Sequence, residues 1–390
     1  MRTGHVIAAA LLVTTALVGG VAGPAAGAQP ATAPSPTTET TTDGPVVHQA
    51  GETCGFPLEV TDATGTTVTL DAAPERITTT NPSAAQTLWE LGERDRVVGV
   101  TQYAAYLDGA SERENVSAEG LGVSVERVVA TEPDLVLAPN ASAGQVEALR
   151  DQGLTVYHFP EATSIEAIAE KTGTVGRLVG NCEAAADVNA EMNAAVAAAE
   201  NRTAGLDRPD ALYPLGGGFV AANNTFINSI MEAGGVDNVA AAEGDGYPQL
   251  SDEVILRTDP ELILVTTPDA AILEEEPYAS TTAGAEGNYV VMEVNYLNQP
   301  APRSVIESTT TLSTAVEELQ TEDGATDGSD GEDGSDGETD GSDGGTADDG
   351  TDDGATEDGG DATTGDEAPG FGVVAALVAA VAAALIARRP

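Results

Sequence analysis

The sequence predicts an α/β protein built of two lobes joined by one long helix and flanked by disordered segments. Three observations carry this expectation. Short apolar runs alternate with helical segments through residues 76–158 and again through 211–319, the pattern of parallel sheets covered by helices. A helical stretch of about twenty residues, roughly 30 Å long, runs from Cys182 to about Thr203 between the two series. A short pattern also recurs: Ser124-Val125-Glu126 leads to Glu132-Pro133-Asp134-Leu135-Val136-Leu137, and Ser251-Asp252-Glu253 leads to Asp259-Pro260-Glu261-Leu262-Ile263-Leu264.

The elements follow in order. Leu58–Asp62 and Thr66–Leu70 alternate around Ala63-Thr64-Gly65 and read as a hairpin. Arg76–Thr79 is a short strand. Ser83–Leu91 is a helix with Ser83 as N-cap and Gly92 just past its end. Trp89, on an apolar face of it, reads as core. Val97–Val100 is a strand, Ser124–Ala130 a short helix, and Asp134–Ala138 a continuous apolar run of the kind buried parallel strands show. Gln145–Gln152 is helical and Thr155–His158 a strand. Ser164–Val179 is a helix stopped by Gly180, and the long helix follows. The second lobe opens with a strand over Ala211–Leu215 and a Gly216-Gly217-Gly218-Phe219 loop. A helix over Thr225–Ala233, a short helix over Asp252–Arg257, strands over Glu261–Thr266 and Tyr289–Val294, and a closing helix over Ala301–Leu319 complete it.

Net charge is −49 and lysine is nearly absent, Lys171 being the single one. Nineteen of the 64 acidic residues lie between Gln320 and Ala368, where no basic residue occurs. Such a surface repels nucleic acid and anionic lipid. Dense carboxylates with little lysine and few aromatics suit a chain from a halophile, where concentrated salt screens the repulsion; a merely acidic secreted protein is the alternative. Residues 1–28 read as a signal peptide: Arg2 and His5, an apolar run from Val6 to Val18, then Ala26-Gly27-Ala28 before Gln29. The expected organisation is signal peptide 1–28, flexible spacer 29–53, first lobe 54–160, helical segment 161–208, second lobe 209–319, acidic disordered stalk 320–368 and C-terminal sorting or anchor segment 369–390. Cys54 and Cys182, in an exported chain, are expected to form one disulfide, free buried thiols being the alternative. Sequons occur at Asn115, Asn140, Asn201 and Asn223.

Several functions are disfavoured. His158 is the single histidine in the folded region, which argues against a zinc or manganese site and against Ser-His-Asp or Cys-His catalysis. Gly216-Gly217-Gly218 lacks the Lys-Ser/Thr of a phosphate loop. No enzyme activity, cofactor or metal is expected.

Two resemblances sharpen the expectation. Ala73-Pro74-Glu75-Arg76-Ile77, Pro82-Ser83-Ala84, Arg96-Val97-Val98-Gly99-Val100-Thr101 with Tyr103, Pro133-Asp134-Leu135-Val136-Leu137, Gly234-Gly235 with Asn238-Val239, and Tyr247-Pro248-Gln249-Leu250-Ser251 stand in order over Leu58–Leu319. Together they resemble the helical-backbone class of ABC-importer substrate-binding proteins, which serve cobalamin, ferric siderophores and haem. The resemblance implies two Rossmann-like lobes on a backbone helix, the class III periplasmic binding protein arrangement. It implies a ligand in a shallow cleft between them, and one carboxylate per lobe, Glu126 and Glu253, offered to arginines of a membrane permease. At the carboxyl ends of the strands the candidate ligand-binding residues are Tyr103, Tyr106, Phe219, Tyr247, Tyr296 and Arg303. Aromatic faces suit a large macrocycle or chelate. Arg303 matches a ligand-facing family position, with pairing to a local carboxylate as the alternative. The Tyr-Pro-Gln-Leu-Ser segment and the Pro-Arg corner lie nearest to the cobalamin subgroup, although the cleft tryptophans of that subgroup are absent. A ferric siderophore or haem receptor, and a surface or adhesive protein without transport, stay open.

Separately, Pro369-Gly370-Phe371, an apolar run over Gly372–Ala387 and Arg388-Arg389 resemble the Pro-Gly-Phe C-terminal signal of archaeal surface proteins. That resemblance implies an archaeosortase-like processing enzyme and a secreted, surface-tethered protein, with a plain membrane span as the alternative; a monomer is expected. The further partners implied are the small-molecule ligand and the permease–ATPase complex.

Overall fold

The computed structural model describes residues 54–120 and 122–326, and of 322–326 only the backbone. The expected signal peptide, the spacer up to residue 53, the stalk beyond residue 326 and the C-terminal segment lie outside the described residues.

The first lobe begins with an antiparallel hairpin, β1 (Leu58–Thr61) and β2 (Thr67–Leu70). Asp62 holds its turn, accepting from the Thr64 backbone at 2.8 Å, and its other oxygen accepts from the His158 backbone and from Arg150. There follow β3 (Ile77–Thr79), α1 (Pro82–Glu90), β4 (Val97–Val100), β5 (Glu114–Asn115), α2 (Val125–Ala130), β6 (Leu135–Ala138), α3 (Ala143–Asp151) and β7 (Val156–His158). The strands form one parallel sheet in the order β5-β4-β3-β6-β7. Every residue of β6 is buried, as its unbroken apolar run requires.

The cap of α1 differs from expectation. Asn81, not Ser83, is the N-cap, its side chain accepting from the Ser83 backbone at 2.8 Å. Pro82 then occupies the first helical position, where its missing N–H costs nothing. Ser83 is thereby freed for another partner. Trp89 is half-buried rather than core, resting on the first-lobe cluster while its indole donates to the Asp108 carbonyl.

Two antiparallel helices then cross between the lobes, α4 (Ile165–Val179) and α5 (Cys182–Thr203). Ile168 of α4 is buried in the second-lobe core and Leu178 in the first; Ala185 of α5 is buried in the first and Met192 in the second. Gly176 lets the pair approach, since a Cβ there would lie 2.5 Å from the Ala185 methyl. The Cys54–Cys182 disulfide is formed, with Cα atoms 5.9 Å apart, and pins the start of the lobe to the start of α5.

The second lobe comprises β8 (Asp210–Leu212), β9 (Pro214–Gly216), β10 (Phe219–Val220), α6 (Phe226–Ala233), β11 (Asp237–Asn238), α7 (Asp252–Thr258), β12 (Leu262–Val265), α8 (Thr282–Glu286), β13 (Tyr289–Val291), α9 (Val294–Leu297) and α10 (Pro302–Thr326). Its parallel sheet runs β11-β8-β12-β13. The first lobe has the same order in β4-β3-β6-β7: the first strand is inside, the second on one flank, the third and fourth on the other.

The strand expected over 211–215 breaks at Tyr213. β8 belongs to the parallel sheet, whereas β9 pairs antiparallel with β10. Pro214 removes the N–H that would continue the ladder. The run expected over 289–294 ends at Val291 because Glu293 caps α9, accepting from the Asn295 backbone at 3.1 Å. The last helix continues seven residues past Leu319 into the expected stalk. Gln320 supports this turn, bonding both the N–H and the carbonyl of Asp207. Val305, Leu312 and Val316 seat α10 in the second-lobe core, while its first turn meets α1 of the other lobe.

Candidate functional site

In open parallel sheets, ligands sit beyond the carboxyl ends of the strands where the strand order reverses. Here the reversals fall between β3 and β6 and between β8 and β12. The loops leaving those strands carry the N-terminus of α1 in one lobe and the Tyr213–Gly218 segment in the other. Gly216, Gly217 and Gly218 all have left-handed backbone, with φ of 90°, 61° and 79°. A Cβ on Gly218 would lie 3.0 Å from the Leu250 carbonyl, so the triple glycine is a requirement of this ribbon's path.

The structure sorts the candidate aromatics into two groups. Tyr106, from the loop after β4, and Tyr296 of α9 meet edge to face, with ring centroids 6.1 Å apart. They come from opposite lobes and both are half-buried. Tyr106 accepts a 2.9 Å hydrogen bond from Gln86 of α1. Burial pushes its hydroxyl pKa up, partly opposed by the Gln86 bond. Burial likewise raises that of Tyr296, helped by the carboxylate of Glu307. Phe219 and Tyr247 form the second group, both resting on the second-lobe core. Gln249 links this group to the glycine ribbon, donating to the Gly217 carbonyl at 2.7 Å. The Tyr247 hydroxyl is raised by burial and by the nearby charge of Glu161, which lies on the segment leaving β7. Beneath it, burial pushes Tyr213 up to about 12, and its hydroxyl meets the Asn298 amide at 3.3 Å. All these phenols stay protonated at neutral pH, so they offer flat apolar faces and hydrogen-bonding rims. Tyr103 stands apart, half-buried in the turn Gln102–Ala104.

Arg303 sits among carboxylates. Its Nη2 and Nε donate to Glu90 of α1 at 2.8 and 3.2 Å, and Nη1 lies 3.6 Å from Glu191 and 3.7 Å from Glu307. Donating to the Glu90 carboxylate raises its pKa further. The guanidinium is therefore engaged by carboxylates from α1, α5 and α10, the alternative pairing, while its side chain stays 30% exposed.

Sequence reasoning missed the polar seam beneath these aromatics. Gln86 is fully buried, and its Oε1 accepts from the backbone and hydroxyl of Ser304 on α10 at 3.3 and 3.1 Å. Lys171 of α4 is buried and donates to Ser83 on α1 at 2.8 Å and to the Pro300 carbonyl at 2.9 Å. Burial lowers its pKa to about 7. The signal was a solitary lysine on an otherwise apolar helix face.

Glu126 of α2 and Glu253 of α7 are both exposed. Ser124 and Ser251 cap their helices, accepting from the backbones of Arg127 and Val254. His158 is buried in β7 with Nδ1 2.9 Å from the Ala138 carbonyl, a structural contact. Among the described residues no cluster of three His, Cys, Asp or Glu is placed to hold a metal.

Two lobes of one strand order, locked by crossing helices and edged with aromatics along the seam, make a receptor for a small solute. The chain belongs to the periplasmic binding protein family, whose pattern matches residues 77–296. It is 46% identical over 276 residues to a protein of Halobacterium salinarum named cobalamin-binding protein, covering 67% of this chain and 75% of that one. It is 27% identical over 205 residues to the vitamin B12-binding protein of Yersinia pestis, covering 50% and 70%. Among solved structures, the periplasmic vitamin B12 binding protein BtuF of Vibrio cholerae shares the fold, with TM-score 0.55, 22% identity, and coverage of 63% of this chain and 98% of that one. So does the periplasmic heme-binding protein RhuT from Roseiflexus sp. RS-1, with TM-score 0.57, 24% identity, and coverage of 63% and 98%.

Proposed function

We propose that the chain is the extracellular solute-binding subunit of an ABC importer, that it captures cobalamin or a closely similar corrinoid, and that it does no chemistry on it. The observation that carries this reading is the 46% identity to a relative named for cobalamin binding. The geometry supports it in a second way. An anionic ferric chelate calls for cations in the cleft, and the arginine expected there is held by Glu90, Glu191 and Glu307. Neutral tyrosines suit a large macrocycle, corrin or haem. Glu126 and Glu253, one per lobe, would be gripped by arginines of the permease. The tail from Pro369 would tether the protein at the cell surface; mass spectrometry of the native C-terminus distinguishes removal by an archaeosortase-like enzyme from a retained span.

Titration of the purified protein in molar salt with cyanocobalamin, haem and a ferric hydroxamate tests the ligand. Submicromolar binding of cyanocobalamin alone is expected. Tight binding of haem or hydroxamate instead would transfer the assignment to iron uptake, and binding of none would remove the transport reading.

A further inference from the structure

Val129 and Leu256 are the large apolar side chains left exposed among the described residues, at 36% and 43%. They occupy one and the same position in the two lobes. Each stands five residues after the serine N-cap, Ser124 or Ser251, and three after the exposed glutamate, Glu126 or Glu253. Three residues further on, Glu132 and Asp259 both adopt left-handed backbone, with φ of 46° and 40°. The preceding residues, Val128 and Ile255, point into the cores and are 0% and 1% exposed. The helices are thus anchored by those neighbours, and folding does not need Val129 or Leu256 to be apolar. Residues three apart share a helix face, so each lobe presents a carboxylate with an apolar side chain one turn on.

On α2 this face opens into a groove of about 550 Å³ against α3, lined by Val125, Glu126, Val129, Ala148, Asp151 and Gln152. Its apolar wall with two carboxylates at the rim is complementary to an arginine or lysine side chain, stem along the valines and head at Glu126 and Asp151. On a surface this acidic, association with an acidic or neutral partner is opposed by charge. The occupant must be basic and must present the same feature twice.

We infer that Val129 and Leu256 are paired apolar anchors, one per lobe, seated on a two-fold-symmetric basic membrane partner, the permease dimer, beside Glu126 and Glu253. This rests on the docking reading given above. The two anchors act on one partner, so their losses compound.

The test uses the full chain in its native cell. Val129→Ser, Leu256→Ser and the double variant are compared with Glu126→Arg/Glu253→Arg. The readouts are cyanocobalamin uptake at saturating ligand, and the dissociation constant and Tm of the purified proteins. The single apolar variants should lower uptake several-fold and the double variant at least tenfold, with binding and Tm unchanged. A double variant within twofold of wild type overturns the anchors; if the glutamate variant still abolishes uptake, the docking reading survives them. Unchanged uptake in the glutamate variant sinks the docking reading itself. A second arm is independent of the ligand. Replacement of Val129 or Leu256 by photoreactive p-benzoylphenylalanine should give, from both sites, adducts identified by mass spectrometry as the permease subunit. Adducts only with lipid, with another copy of this chain, or from neither site overturn the inference.

Discussion

Arg303 of α10 donates to Glu90 of α1 at 2.8 Å, joining residues 213 apart in sequence and in different lobes. With Gln86–Ser304 and Lys171–Pro300 it forms a polar seam where α1 and α4 meet the start of α10. A seam of this kind limits how far the lobes can swing.

Arg303→Ala should therefore act on stability rather than on the ligand. It strands Glu90, whose side chain is 17% exposed, beside Glu191 and Glu307. Removing one partner of a partly buried pair costs about 1–3 kcal/mol. Thermal and urea denaturation should show that loss, while the cyanocobalamin dissociation constant stays within about threefold. A loss of affinity with unchanged stability would restore Arg303 to the ligand face.

Lys171 gives a pH signature. Its folded pKa, about 7, lies below the ordinary lysine value. Between these values the unfolded chain binds more protons than the folded one, so stability rises with pH through this window. The slope reaches about 1.4 kcal/mol per pH unit. Below pH 7 both states carry the proton and the contribution is flat. The raised tyrosines act above about pH 10, outside the range to be measured. Urea midpoints from pH 7 to 9.5 should climb in the wild type and stay level in Lys171→Met; parallel curves would remove the lysine as the cause.

The Cys54–Cys182 bridge closes a separation of 128 residues. Cys54→Ser with Cys182→Ser should lower stability by about 2–5 kcal/mol. Dithiothreitol should destabilise the wild type to the same level and leave the double variant unaffected. Equal denaturation curves with and without reductant in the wild type would show that the bridge contributes nothing.

Tyr296→Ala removes one ring of the Tyr106–Tyr296 pair. If that pair faces the ligand, cyanocobalamin affinity should fall at least tenfold with Tm lowered by only a few degrees. Tyr106→Phe, which keeps the ring and drops the hydroxyl bonded to Gln86, should cost less than Tyr296→Ala. Isothermal titration decides; unchanged affinity in Tyr296→Ala would place the pair outside the site.

Much of the architecture was legible because it is local. Leu135–Ala138 and Leu262–Val265 read as buried strands from their apolar runs, and Gly180, in left-handed backbone, stops α4. The echo of Ser124–Leu137 in Ser251–Leu264 pointed to related lobes, though not to their strand order. Two-residue strands such as β5 and β11 are too short to show a period. The cap of α1 was misassigned although Pro82 carries the signal, since a proline at the first helical position puts the cap before it. Carboxylate pairing of Arg303 was an open alternative, but its partner Glu90 was illegible for a different reason: a bond between residues on distant helices leaves no mark on the composition around either one. The candidate aromatics were found by residue type; their division into two groups required the fold.

The buried amine at the seam has a practical consequence. Lys171 is the chain's sole lysine, and in the native protein its nitrogen is enclosed between Ser83 and Pro300. Acylating reagents added to folded material would therefore not reach this amine. Its acylation then times the opening of the junction, giving a single-site chemical clock for unfolding that needs no engineered probe.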